Sequence, residues 1–193
     1  TAAGLAVASA QAGQRTLIVD ADFGRPSQAA RFAVDGTVGL RQVLANKIPF
    51  EAAIQATEVP GLFVLPAGEA NGAGAVLDAS VLPTLLQELA NRWDRVLVDS
   101  PALLQAVDAR ILAAVCDASL LVLRPGSSTV SAVQAAEEAV ASVGGQIVGV
   151  VFRSAGSSTV RSGRLHSAEL LALPHPPTHS PRGADDRRVG EQA

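Results

Sequence analysis

The chain is 193 residues long and 48% apolar, which suits one domain with a sizeable core. Fifteen Lys and Arg against eighteen Asp and Glu leave a net charge of −3, so a general electrostatic attraction to nucleic acid or an anionic membrane is excluded. The one cysteine, Cys116, excludes an internal disulfide and suits a reducing compartment, and no apolar run reaches the roughly 18 residues that span a bilayer.

In chain order, Thr1 to Ala12 is dense in alanine, the best helix former, and stops at Gly13, which predicts a tightly packed helix. Residue 1 is Thr and no signal-peptide pattern follows it, so the sequence reads as a fragment. Thr16 to Val19 is a short apolar run ending at Asp20, the grammar of a parallel strand buried on both faces. Short helices are expected at Leu40 to Asn46 and Phe50 to Gln55, and a short strand at Leu62 to Leu65. Ser80 to Arg92 places Leu82, Leu85, Leu86 and Leu89 on one helical face, with Ser80 as the cap. Strands at Arg95 to Val98, Ser119 to Leu123 and Gln146 to Phe152 alternate with helices at Val107 to Val115 and Val130 to Val143. The run Ser127-Ser128-Thr129 reads as a cap for the last helix, and Gly144-Gly145 as its stop.

This alternation predicts an α/β domain over residues 1–153, with a mostly parallel sheet flanked by helices. Residues 154–193 carry Pro174, Pro176, Pro177 and Pro181, scattered Arg and no sustained apolar period, and are expected to be a disordered tail or a foreign end. His175 and His179 are four apart, but the prolines between them prevent a helical metal pair. Cys116 reads as a small buried hydrophobe rather than a nucleophile.

Parallel α/β sheets bind ligands beyond the carboxyl ends of their strands. Two of the predicted strands end there in aspartate: Leu17-Ile18-Val19-Asp20-Ala21-Asp22-Phe23-Gly24-Arg25-Pro26 and Val96-Leu97-Val98-Asp99-Ser100-Pro101. A carboxylate after a run of buried hydrophobes is how nucleotide triphosphatases meet magnesium and its waters. A lone aspartate at a strand end is more often a cap or turn residue. Asp20 and Asp22, two apart in an extended segment, point the same way. With the two strands side by side, Asp20, Asp22 and Asp99 would surround one cation.

The flanking residues carry a resemblance. Asp20 to Pro26 is similar to the DADxRRP motif of the bacterial tyrosine kinases of capsular and exopolysaccharide synthesis, with Gly24 in place of the first arginine. Gly61-Leu62-Phe63-Val64-Leu65-Pro66-Ala67-Gly68 resembles the family's GLxVLPAG strand and loop, and Trp93 to Pro101 its YDxVIIDTPP segment. Val107-Asp108-Ala109, Leu120 to Arg124 and Gly149-Val150-Val151 follow in the family's order, so the resemblance covers roughly residues 1–153. It implies a P-loop ATPase fold of the wider MinD- and ParA-like class, ATP and magnesium as ligands, and transfer of the γ-phosphoryl group to a tyrosine hydroxyl. Asp20 would orient the attacking hydroxyl and share in magnesium binding, while Asp22 and Asp99 would hold the ion's water shell. Arg25 stands where a family arginine lies near the phosphates, and Arg153 where related ATPases put an Asn beside the adenine.

The family's phosphate loop, reading GKST, immediately precedes a stretch like Thr1-Ala2-Ala3-Gly4-Leu5-Ala6, so Thr1 would border the nucleotide. The chain is therefore expected to lack the loop, its lysine and the preceding central strand, to bind ATP poorly, and to be marginally stable. Its one lysine, Lys47, has no glycine-rich context. The sequence contains no Tyr, so tyrosine autophosphorylation within it is excluded. The implied setting is cytoplasmic, beside a membrane protein of polysaccharide chain-length control or export, with homo-oligomers as a further partner and no nucleic acid. Two alternatives stay open: a MinD- or ParA-like ATPase that positions cargo, and a non-catalytic partner domain of the membrane component.

Overall fold

The computed structural model describes residues 1–70 and 80–153. Helix α1 (Ala2–Gln11) turns at Gly13, whose φ of +84° suits glycine, into strand β1 (Thr16–Asp20). Two short helices, α2 (Gln28–Arg31) and α3 (Leu40–Leu44), lead to α4 (Phe50–Ala53), β2 (Gln55–Ala56) and β3 (Leu62–Leu65). Then come α5 (Leu82–Ala90), β4 (Arg95–Asp99), α6 (Val107–Val115), β5 (Ser119–Leu123), α7 (Val130–Ala141) and β6 (Ile147–Phe152). The expected tail at 154–193 lies outside the described residues.

The predicted strands all form, and every pairing among β1, β3, β4, β5 and β6 is parallel. Three details differ from the sequence reading. Residues 50–55 divide into a helix and a two-residue strand, because Gln55 and Ala56 pair antiparallel with Val64 and Phe63 of β3. Helix α2 forms where none was expected. Helix α5 starts at Leu82 with Val81 at its N-cap position, so Ser80 is not the cap; Pro83 in its first turn suits that start. The cap expected at Thr129 is present, its hydroxyl accepting from the Ala132 N–H at 3.2 Å.

The strands are arranged as two sheets, a four-stranded one in the order β2-β3-β1-β4 and a pair β5-β6. Among the described residues strand β4 is hydrogen-bonded on one side, to β1. The core sits around β1, every residue of which is buried. One side holds Leu17, Val19, Leu65, Leu82, Leu85, Leu89, Trp93 and Leu112. The other packs Ala3, Ala6 and Ala10 of α1 against Ile18, Leu62 and Val64, and the alanines let the helix approach closely. The pair β5-β6 is different: Leu120, Val122, Val148, Val150 and Phe152 alternate along the strands and are exposed. Among the described residues no helix is long and apolar enough to cross a membrane.

Candidate functional site

Strand β1 lies between β3 and β4, with Asp20 and Asp99 as register partners at the carboxyl end. Neighbouring strands run about 4.8 Å apart, so the two carboxylates leave adjacent points of one edge. The Ala21 N–H donates to the Asp99 carbonyl at 2.8 Å, continuing the ladder past the strand end.

Asp20 is 1% exposed. Its Oδ2 accepts from the backbone N–H of Ser27 at 2.8 Å and of Gln28 at 2.9 Å, and its Oδ1 from Asp22 N–H at 3.3 Å. Burial pushes this carboxyl above its ordinary range, the N–H groups of Gln28 and Ser27 pull it back, and the nearby charge of Asp99 raises it again. Gln28, also buried, spans the two acids: its backbone meets Asp20, and its Nε2 donates to Asp99 Oδ2 and to Ser27 Oγ. Gln28 Oε1 is buried without a hydrogen-bond partner.

The other expected site residues are placed less centrally. Asp22 holds the turn that follows β1, its Oδ1 accepting from the Arg25 N–H at 3.0 Å. Arg25 is exposed, and no ion pair ties it to an aspartate among the described residues. Thr1 is exposed at the start of α1 and its carbonyl accepts from Leu5 N–H at 3.1 Å. Arg153 follows β6 and donates its N–H to the Leu123 carbonyl at 2.8 Å, on the second sheet. Lys47 is exposed in the turn after α3. Sequence reasoning missed Gln28, a polar residue after Pro26 with no pattern of its own.

The Gly61 to Gly68 stretch has a clear structural task. Leu40 and Arg41 at the start of α3 donate their N–H groups to the Pro66 and Ala67 carbonyls, at 2.7 and 3.0 Å. Gln42 clamps the same joint, Oε1 accepting from Gly39 N–H and Nε2 donating to the Glu69 carbonyl. Arg41 then reaches the loop after β1, donating from Nη2 to the Phe23 carbonyl at 2.8 Å with its guanidinium 4.4 Å over the Phe23 ring.

Among the described residues no three His, Cys, Asp or Glu side chains converge as a metal-binding group. Two adjacent carboxylates and the partnerless Gln28 oxygen are instead a set of hard oxygen acceptors, the chemistry that holds a magnesium ion through its water shell. The residues present fit such a hydrated ion.

The fold defines the class: an α/β domain with a mostly parallel sheet of the MinD/ParA-like P-loop NTPase type. MinD of Pyrococcus horikoshii, solved with Mg-ADP, matches 78% of this chain and 62% of its own with a TM-score of 0.66 and 25% identity. The kinase domain of the Escherichia coli tyrosine kinase ETK matches 84% of this chain and 65% of its own, with a TM-score of 0.75 and 28% identity. Among curated proteins, the tyrosine-protein kinase CpsD of Streptococcus agalactiae is 30% identical over 165 residues, covering 84% of this chain and 72% of CpsD. The chain belongs to the bacterial tyrosine-protein kinase family. YwqD of Bacillus subtilis, a tyrosine-protein kinase, is 36% identical over 153 residues, and the match spans 79% of this chain and 65% of YwqD. The succinoglycan biosynthesis transport protein ExoP of Rhizobium meliloti is 31% identical over 129 residues, 65% of this chain and 16% of ExoP. No family model matches the chain.

Proposed function

We propose that residues 1–153 are the ATP-binding domain of a tyrosine kinase of capsule or exopolysaccharide synthesis. The observation that carries this reading is the juxtaposition of Asp20 and Asp99 at one sheet edge, tied through Gln28. The reaction breaks the bond between the γ-phosphorus of ATP and its bridging oxygen, forms a bond to a tyrosine oxygen, and releases ADP and the phenolic proton. Magnesium, when bound, neutralises phosphate charge. Asp20, Asp22 and Asp99 would hold the ion's waters, and Asp20 would also orient the attacking hydroxyl. Arg25 and Thr1 would border the phosphates, and Arg153 the adenine. A glycine-rich loop with its lysine, of the kind the family carries, would supply the remaining phosphate contacts. The 193 residues contain no Tyr, so the acceptor hydroxyl belongs to another polypeptide or segment.

The partner we propose is a membrane protein of polysaccharide chain length or export, met on the cytoplasmic side where ATP is available. The match to the transport protein ExoP supports this. For the test, the full product of the gene is incubated with Mg-ATP and a tyrosine-containing peptide. Phosphotyrosine formation, lost in Asp20→Asn and Asp99→Asn, is the expected result. ATP-dependent dimerisation with hydrolysis alone would assign the domain to the MinD-like branch, and a folded domain that ignores Mg-ATP would make it a binding partner only.

A further inference from the structure

Two carboxylates on adjacent parallel strands repel each other, and nothing in strand geometry alone fixes where the second one points. Here one residue addresses both. The backbone N–H of Gln28 donates to Asp20 Oδ2 at 2.9 Å, and its side-chain amide donates to Asp99 Oδ2 and, at 3.1 Å, to Ser27 Oγ. Asp99 Oδ1 carries no hydrogen bond among the described residues. The amide is itself locked, because Gln28 is 3% exposed and α2 begins at this residue.

The orientation of that amide leaves its carbonyl oxygen buried and partnerless. Such a group ordinarily costs stability, so its retention asks for a donor that arrives with a ligand. Water held by a divalent cation is a strong donor of that kind. The acceptor oxygen belongs to the same amide whose nitrogen donates to Asp99.

We propose that Gln28 is a positioning residue of the cation site: its amide nitrogen fixes the Asp99 carboxylate, and its amide oxygen accepts from a water of the bound ion. This rests on the reading of the acidic pair as a magnesium site. Hydrogen bonds to the ligands of a metal commonly change affinity by about 10- to 100-fold.

The test uses the full chain with manganese(II) alone as the probe. In a ¹⁵N spectrum of the glutamine side chains, the pair of signals lost in Gln28→Met should be shifted away from those of exposed glutamines. It should return toward them in Asp99→Asn. Manganese should broaden that pair before any other glutamine pair, and the affinity measured by electron paramagnetic resonance should fall about tenfold in Gln28→Met. An unshifted Gln28 pair, or one that manganese broadens no sooner than the rest, overturns the proposal even where the methionine variant does not fold. Unchanged affinity in a folded Gln28→Met chain overturns the role of Gln28 while leaving the acidic pair as a cation site. Affinity that Asp20→Asn and Asp99→Asn leave untouched overturns the cation site itself, and the proposal with it.

Discussion

Asp20 shows how a buried carboxyl is held at a cost to the fold. Burial and the neighbouring Asp99 raise its carboxyl above the value it has in the unfolded chain, against the pull of three backbone N–H groups. Between the unfolded and the raised folded values the native state binds the extra proton, so this residue's contribution to stability declines as pH rises through that window. The difference in urea midpoint between wild type and Asp20→Asn should therefore shift in favour of the variant as pH climbs from about 4 toward neutrality. Urea melts of both proteins at a series of pH values check this. Cys116 sits at the other extreme of reactivity. Burial, then the charge of Asp117, pushes its thiol up to about 11. Little thiolate exists at neutral pH, and Ellman's reagent should label the native chain about two orders of magnitude more slowly than the urea-unfolded one. The two strand-end aspartates were legible in the sequence because each follows a run of buried hydrophobes. Gln28 was not, since its burial comes from contacts with residues 8 and 71 positions away that no local period encodes.

At the level of elements, α3 and the 66–69 loop behave as one joint. A β-carbon on Gly39 would collide with the Pro66 carbonyl and the Gly68 nitrogen, so this glycine is required by close approach. Gly39→Ala should cost about 1–3 kcal/mol, read as a lowered denaturant midpoint. The same change should disturb the loop after β1, since Arg41 of α3 holds the Phe23 carbonyl and stacks on its ring. Long elements were read from the sequence because their periods are long enough to see. The four-residue α2 and the two-residue β2 were not, because tertiary contacts decide such short pieces.

For the whole molecule, the order of strands governs how the domain holds together. From sequence, Leu120-Leu121-Val122 looks as deeply buried as Leu17-Ile18-Val19, yet Leu120 and Val122 are exposed while the latter three are buried. Which strand lies centrally is set by its neighbours across the sheet, information that local hydrophobicity does not carry. Leu120 and Val122 on one face of the β5-β6 pair, Val150 and Phe152 on the other, and a β4 paired on one side among the described residues are all features that favour association. The paired substitution Val122→Lys and Val150→Glu should raise the soluble fraction of the expressed chain and lower its binding of an apolar dye, measured by light scattering and fluorescence.

Strand β1 is clamped from both flanks, whereas among the described residues β5 and β6 pair with each other alone. In deuterated water this asymmetry becomes a clock. Amides of Leu17 to Val19 should be the last to take up solvent deuterium, opening only with the entire fold, while those of 119–123 trade their protons early. The acidic pair therefore straddles two regimes: Asp20 ends the segment expected to exchange slowest, and Asp99 ends a strand that is paired on one flank among the described residues.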